Sequence, residues 1–272
     1  MLVVMALGGT APLRLGEPKR AEAQWWDVAV AARAVAAVAR EHTVVVTHGN
    51  GLQGHLVEQA LGNEMPGRKV ASLVIEVIAR LVPVGPRYAD TIDGRRFAAE
   101  FGWVVAREGT SFRQCVPSPG PHRIVQLNSI NTLIEAGVLV ICACGQETAI
   151  GEAELGPKEG EVIVDTDLAA ALLGEGVGAD LLMLLTAAER VEVDWRTGQR
   201  LPLLGATTVE ALRRISYTPG LVGPKVEAAC RFVESTGRRA AIGALDSAQE
   251  ILLGDRGVQV MAPRVPSPDR DK

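Results

Sequence analysis

Short apolar runs that alternate with helical segments restrict this chain to a small set of folds. Two of these runs, Leu2 to Leu7 and Thr43 to Val46, are each followed by a glycine-rich turn and then by a helical segment. Strands without polar alternation are typical of a parallel sheet that helices cover on both faces. The sequence therefore predicts an α/β fold with a glycine turn after each of these two strands. The turn residues are Gly8, Gly9, Thr10, Gly49, Asn50 and Gly51.

The glycine turns have two interpretations. At the carboxyl edge of a parallel sheet, their backbone N–H groups and the helix that follows can hold phosphate or another anion. A glycine turn can also be a packing element that binds no ligand. The glycine turns alone do not distinguish an anion site from a packing element, so the other motifs of the chain are needed.

The alternation of strands and helices continues to the end of the chain, which predicts a mostly parallel sheet. Later strands are expected at Val138 to Ala143, Asp180 to Leu185, Arg239 to Gly243 and Val258 to Met261. Helices are expected at Ala21 to Arg40, Leu52 to Leu61, Arg123 to Ala136, Leu168 to Leu173 and Val226 to Ser235. A strand is expected at Trp103 to Ala106, the stretch Arg107 to Arg113 is polar, and the proline-rich stretch Cys115 to Pro121 is expected to be irregular.

A loop-rich, acidic stretch from Gly145 to Gly160 indicates a boundary between two lobes. We expect an N-terminal lobe at residues 1–150 and a C-terminal lobe at residues 151–261. The polar residues 262–272 are predicted to form a disordered tail.

Composition and charge exclude several classes of function. The 272 residues are 47% hydrophobic but only 4% aromatic, so the core is expected to consist mainly of Ala, Val, Leu and Ile. A net charge of −4 argues against non-specific nucleic-acid binding. The first apolar run ends at Gly8, which is too short for a signal peptide, and no run approaches a membrane span. We therefore expect a soluble, cytoplasmic protein with no membrane partner.

The four cysteines give no metal-binding pattern. Cys142 and Cys144 stand two apart in a predicted strand and would share one face of the sheet. Buried free thiols explain this spacing better than a metal site does. We predict no metal site formed by protein ligands.

The second half of the chain contains acidic and basic residues next to predicted helix starts. Asp165 and Asp167 precede an apolar helical run, and Lys225 follows a Gly-Pro pair on a predicted loop before a helix. Each residue also has a simpler interpretation. An aspartate before an apolar run is a plain helix cap, and a lysine after Gly-Pro can be an ordinary surface residue.

Taken in order, several stretches resemble the carbamate kinase branch of the amino acid kinase family. They extend from residue 2 to about residue 261, which is nearly the whole chain. In the first half they are Ala6-Leu-Gly-Gly9, Val46-Thr-His-Gly-Asn-Gly51, Pro83-Val-Gly-Pro86, Gly102-Trp103 and Val116-Pro-Ser-Pro119. In the second half they are Asp165-Thr-Asp-Leu-Ala-Ala170, Gly223-Pro-Lys-Val-Glu-Ala228 and Arg231-Phe-Val-Glu234.

The resemblance implies a three-layer αβα fold and reversible phosphoryl transfer between carbamoyl phosphate and ADP, by a homodimer that uses ATP or ADP with Mg²⁺. The N-terminal lobe would bind carbamate or carbamoyl phosphate, and the C-terminal lobe would bind the nucleotide. On the acceptor side the implied residues are Gly8, Gly9, Thr10, Gly49, Asn50, Gly51 and Arg123. The implied catalytic residues are Lys225, Asp167 and His122, and the nucleotide side would comprise Asp165, Asp167, Thr186, Gly223 and Lys225.

The chain departs from the family pattern at several of these positions, so the resemblance is to a divergent member. Thr166 stands where the family usually has a lysine between two aspartates, and His122 stands where a lysine usually follows the Pro-Ser-Pro stretch. The usual asparagine of the first turn is Thr10, and the four-glycine stretch is reduced to Gly145. The stretch from Gly54 to Pro83 is also much shorter than in the family, which implies a reduced lid.

Three functions are consistent with these matches to the family pattern and departures from it. The first is a carbamate kinase-like phosphotransferase, supported by the glycine turns, Asp167 and Lys225. The second is a catalytically impaired relative that binds carbamoyl phosphate or nucleotide as a regulatory or complex subunit, supported by the missing lysines. The third is an amino acid kinase-type enzyme with a different acceptor, which Thr10 and the short lid would allow.

Overall fold

The computed structural model of the protein describes residues 1–7, 21–49, 51–74, 77–80, 87–88, 104–108, 111–115, 120–144, 149–151, 164–186, 205–214 and 223–262. Its helices are α1 (Ala21–Ala39), α2 (Gly51–Glu64), α3 (Leu127–Glu135), α4 (Thr166–Gly176), α5 (Val209–Arg213), α6 (Gly223–Thr236) and α7 (Ala248–Leu253), with a short 3₁₀ helix at Leu245–Ser247.

The strands follow in chain order. They are β1 (Leu2–Leu7), β2 (Thr43–His48), β3 (Val70–Val74), β4 (Val77–Arg80), β5 (Arg87–Tyr88), β6 (Val104–Glu108), β7 (Ser111–Cys115), β8 (Gly120–Ile124), β9 (Leu139–Ala143), β10 (Ala149–Gly151), β11 (Leu181–Thr186), β12 (Gly205–Thr208), β13 (Arg239–Ala244) and β14 (Val258–Met261).

Eight of the strands form one central sheet in the order β12-β14-β13-β11-β1-β2-β9-β3. All neighbours in this sheet are parallel except β13 and β14. The first strand, β1, lies near the middle and pairs with β2 on one side and with β11 on the other. The sheet therefore joins strands from both predicted lobes, and the boundary between the lobes stays a prediction.

Alternate residues of each central strand face two separate cores, which gives the three-layer αβα arrangement. In β1, Val3 and Met5 pack with residues of α1, α2 and α7 on one face of the sheet. Val4 and Ala6 pack with residues of α4 and α6 on the other face. Both faces are covered, and for this reason the strands are apolar at nearly every position. The predicted fold class is confirmed.

Close packing between α4 and α6 fixes the two helices that matter most for the site. A Cβ atom at Gly174 of α4 would lie 3.0 Å from a ring carbon of Phe232 in α6, so the aromatic ring lies directly on the helix backbone. Phe232 is almost fully buried. Burial of such a ring contributes about 1.5–3 kcal/mol. The residues at the start of these two helices are therefore held at a fixed separation.

Three local predictions were wrong. The first residues of the helix predicted at Arg123 to Ala136 form β8, and the helix begins only at Leu127. The proline-rich stretch Cys115 to Pro121 was predicted to be irregular, but Cys115 is the last residue of β7, and Gly120 and Pro121 are the first residues of β8. Lys225 was placed on a loop, but it lies in the first turn of α6, which begins at Gly223.

Two small three-stranded sheets accompany the central one, in the orders β10-β4-β8 and β5-β7-β6. The strand β8 pairs antiparallel with β4 and also packs against α4. The predicted tail from residue 263 onward, the first glycine turn and Asn50 lie outside the described residues.

Candidate functional site

A buried ion pair joins the first turns of α4 and α6. The Lys225 Nζ atom lies 2.8 Å from Oδ1 and 2.9 Å from Oδ2 of Asp167, so the ammonium donates to both carboxylate oxygens. The side chains are only 7% and 10% exposed, respectively. The two residues are 58 positions apart in sequence, and the packing of α4 on α6 brings them together.

A pair of this kind is a poor means of stabilising a fold. The desolvation of two charges can exceed their mutual attraction, and well-packed apolar residues of similar volume are often equally stable or more so. A buried lysine beside a predicted phosphate site has a clearer chemical use. Its carboxylate partner holds the ammonium in one position, where it can neutralise the charge of an incoming anion.

Asp165 caps the helix that carries Asp167. Its Oδ1 atom accepts hydrogen bonds from the backbone N–H groups of Asp167 and Leu168, each at 3.0 Å. This is the plain capping role that the sequence pattern allowed for this residue. Burial raises the pKa of the Asp165 carboxyl above its ordinary value and the neighbouring charge of Asp167 adds to the rise, while the two N–H bonds and Lys225 oppose it.

The raised pKa of Asp165 gives a pH-dependent stability prediction. The folded protein binds the Asp165 proton more tightly than the unfolded chain does, so the ionised side chain lowers stability once the pH exceeds the folded pKa. Asp165→Asn keeps a capping oxygen without the charge and is expected to raise the unfolding temperature at pH 7. The gain should disappear as the pH falls below the ordinary aspartate pKa of about 3.9.

Thermal unfolding between pH 3 and pH 8 measures this effect. Asp165→Ala is the matched control because it removes the charge and the cap together. The lost cap should lower stability by about 1 kcal/mol. An Asp165→Asn variant that is less stable than wild type at pH 7 would contradict the account of this carboxyl group.

The second glycine turn contacts the start of α4. A Cβ atom at Gly49 would lie only 2.6 Å from the Cγ2 methyl of Thr166, so no larger residue fits at position 49 without movement. Gly49 follows β2, whose last residue, His48, accepts a 2.9 Å hydrogen bond from the Cys144 N–H group. This contact places the first turn of α4, with Asp167, at the carboxyl edge of the sheet.

The other predicted site residues that the structure describes lie at the same edge or on β8. Thr186 is the last residue of β11, Gly223 is the first residue of α6, and Gly51 begins α2. His122 and Arg123 lie on β8, and both have exposed side chains. The strand β8 packs against α4, the helix that carries Asp167.

The cysteines behave as buried thiols. Cys142, Cys144 and Cys230 are free and buried. Burial raises the pKa of both Cys142 and Cys144 to about 12, and the charge of Asp165 contributes to the rise at Cys144. At neutral pH a thiol with a pKa this high is protonated, and the thiol is a much weaker nucleophile than the thiolate. Within the described ranges no cluster of three or more His, Cys, Asp or Glu side chains could hold a metal ion.

Sequence reasoning missed two features of the site. It singled out Asp167 and Lys225 separately but gave no sign that they pair, because residues 58 apart in sequence carry no local signal of contact. It treated Thr166 only as a missing lysine and not as a neighbour of Gly49. Only the three-dimensional arrangement of α4 against the turn after β2 reveals this contact.

The fold and the site define a class of protein, and comparison with known sequences agrees with that class. The pattern of the amino acid kinase family matches residues 1–244. The chain belongs to the amino acid kinase family. None of the helices in the described part of the chain is long and apolar enough to cross a membrane.

Within that family the chain is similar to carbamate kinases. It is 35% identical to the carbamate kinase of Rhizobium meliloti, over 94% of this chain and 92% of the relative. It is 33% identical to the carbamate kinase of Pyrococcus furiosus, over 95% of this chain and 98% of the relative. The carbamate kinase of Giardia lamblia bound to AMP-PNP superposes with a TM-score of 0.79 at 25% identity, covering 96% of this chain and 98% of that one.

Proposed function

We propose that the protein catalyses reversible phosphoryl transfer between carbamoyl phosphate and ADP, giving carbamate and ATP. The observation that carries this proposal is the buried Lys225–Asp167 pair at the carboxyl edge of the sheet, next to the Thr166–Gly49 contact. Phosphoryl transfer depends on positioning and on positive charge around the transferring group, with little covalent work by the protein. A preorganised ammonium beside a glycine turn meets both needs.

Each group has a distinct role in this proposal. Lys225 neutralises the charge that develops on the transferring phosphoryl group, and Asp167 fixes the position of the ammonium. The glycine turns bind the carbamoyl side through backbone N–H groups. Gly223, the first residue of α6, and Thr186, the last residue of β11, would contact the nucleotide. These assignments are supported by position and by the family resemblance.

Mg²⁺ is expected to arrive with the nucleotide. This ion usually binds through one or two carboxylates together with substrate phosphates, and it does not need a cage formed entirely by protein ligands. Asp165 stands beside the pair at the start of α4, and its carboxylate would hold the ion together with the nucleotide phosphates. When bound, the ion would neutralise part of the phosphate charge.

Two alternatives follow from particular residues. Thr166 and His122 replace lysines that the family pattern contains, and each lost cation removes stabilisation of the transferring group. The loss of one such donor commonly costs about 2.7–4 kcal/mol in the barrier. A protein that binds carbamoyl phosphate or nucleotide without turnover is therefore the second candidate. An amino acid kinase-type enzyme with another small acceptor is the third, favoured by Thr10.

The resemblance also supports proposals about organisation. We propose a cytoplasmic homodimer, with the acceptor bound by residues 1–150 and the nucleotide by residues 151–261. Residues 262–272 are proposed to lie outside the folded body.

Coupled detection of ATP tests the proposed reaction. The purified protein, mixed with carbamoyl phosphate, ADP and Mg²⁺, should form ATP well above a blank that lacks the protein. Calorimetric titration with MgADP distinguishes the second candidate, because binding without ATP formation supports a binding protein. ATP formation only with another acyl phosphate would favour the third candidate.

A further inference from the structure

The structure gives Thr166 a direct contact with the second glycine turn. The nearest atom to a Cβ at Gly49 is the Thr166 Cγ2 methyl at 2.6 Å, whereas the Oγ1 hydroxyl lies 3.6 Å from the same point. Thr166 therefore meets the turn through its methyl group. The space that a side chain at position 49 would need is already occupied by that methyl.

Thr166 is held rigidly on both sides. Asp165 immediately precedes it and fixes the start of α4 by accepting two backbone N–H bonds. Asp167 immediately follows it and is held by both hydrogen bonds from Lys225. A β-branched side chain in a helix also has few χ1 rotamers, and threonine has two common ones. The backbone that carries the Thr166 methyl is therefore held in place at the start of α4.

The central sheet holds the other side of the Gly49 turn in place. β2 pairs with β1 and β9 along its length, and the His48 carbonyl accepts the Cys144 N–H. Gly49 is the next residue, and α2 begins two residues later at Gly51. Gly49, the first residue after β2, therefore lies against the Thr166 methyl.

We propose that Thr166 is a positioning residue for the acceptor turn, acting through its methyl group and not through its hydroxyl. This inference rests on the proposed function, in which the Gly49 turn binds the carbamoyl side of the substrate. The methyl sets how closely the turn approaches Asp167 and Lys225. A displacement of the turn should weaken binding of carbamoyl phosphate and leave binding of the nucleotide unchanged, because the turn lies on the acceptor side.

Two conservative substitutions separate the methyl from the hydroxyl. Thr166→Ser removes the methyl and keeps the hydroxyl, whereas Thr166→Val keeps a branched methyl and removes the hydroxyl. In the assay of ATP formation, Thr166→Ser should raise the KM for carbamoyl phosphate roughly tenfold, since displacements of about 1 Å have large effects at reacting centres. The KM for ADP should change less than about twofold, and Thr166→Val should resemble wild type.

A binding measurement makes the test independent of turnover. Carbamoyl phosphate should raise the unfolding temperature of wild type and Thr166→Val, but raise that of Thr166→Ser much less. MgADP should raise all three equally. If this pattern holds in a protein that forms no ATP, the positioning role stands and the proposed reaction fails. A larger defect in Thr166→Val than in Thr166→Ser would overturn the inference, and so would equal losses for both ligands or no response of wild type to carbamoyl phosphate.

A double-mutant cycle tests the contact itself. Gly49→Ala should lower the unfolding temperature in wild type because the new Cβ collides with the methyl. In the Thr166→Ala background, which has no γ atoms, the same change should cost much less. Additive effects of the two substitutions would show that the methyl does not limit how closely the turn packs against α4.

Discussion

Replacing Lys225 with Met is expected to slow ATP formation from carbamoyl phosphate and MgADP by at least about 10²-fold. The substitution keeps most of the side-chain volume but removes the ammonium that Asp167 holds at the carboxyl edge of the sheet. The loss should appear both in kcat and in the KM for MgADP, because the ammonium is proposed to face the nucleotide phosphates in the bound state as well as during transfer. Steady-state kinetics with each substrate varied in turn measures both parameters.

A matched control lies on the same helix. Arg231 is exposed on α6 and pairs with Glu227 one turn earlier, at 2.7 Å. Arg231→Met removes one positive charge from α6 at the surface and should leave kcat within about twofold of wild type, since exposed ion pairs contribute about 0–1 kcal/mol. A Lys225→Met variant that is as active as the Arg231→Met control would remove Lys225 from the mechanism.

The buried pair also predicts that a single and a double substitution differ strongly in their effect on the free energy of unfolding. Lys225→Met should lower the free energy of unfolding by about 3–5 kcal/mol, because Asp167 is then left buried without its cation. The double variant Lys225→Met/Asp167→Asn should recover much of that loss, since neither residue is then an unpaired buried charge. Urea unfolding of the two variants and wild type measures the difference.

The comparison between the single and double variants shows whether the pair serves activity or stability. Recovery in the double variant, together with continued loss of ATP formation, would show that the pair is retained for activity and not for stability. A double variant that is no more stable than Lys225→Met would show instead that an unpaired Asp167 charge is not the cause of the loss.

The central sheet could be predicted because its strands are buried on both faces. That burial gives the unbroken apolar runs at Leu2 to Leu7 and Val138 to Ala143, and the structure forms β1 and β9 there. Predicted helices such as Ala21 to Arg40 also correspond closely to observed ones, here α1 at Ala21–Ala39. Periodicity is a reliable guide where one element is long and strongly patterned.

Prediction failed where short strands lie outside the central sheet. The residues of β8 are Gly-Pro-His-Arg-Ile, and only Ile124 among them is buried and apolar. Its strand conformation depends on pairing with β4, which is distant in sequence. The polar stretch Arg107 to Arg113 gave no strand prediction, although β7 begins within it at Ser111, because a strand with few apolar residues has no clear period-two pattern.

The site was predictable in its parts but not in its arrangement. The glycine turn at Gly49 and the charged residues Asp167 and Lys225 were recognised from motifs that keep their order along the chain. Their assembly depends on packing of α4 against α6 and against the turn after β2, which no local pattern encodes. The role of Asp165 as a helix cap was the simpler of its two interpretations, and the structure has that geometry.

Heating the protein with and without a nucleotide tests the central claim most directly. A ligand that binds only the folded state must raise its unfolding temperature. MgAMP-PNP should raise the unfolding temperature of wild type in a concentration-dependent manner, and should do so much less for Lys225→Met/Asp167→Asn, which lacks the buried pair. An absence of any rise in wild type, or an equal rise in both proteins, would contradict the assignment of this pair to a phosphoryl-transfer site.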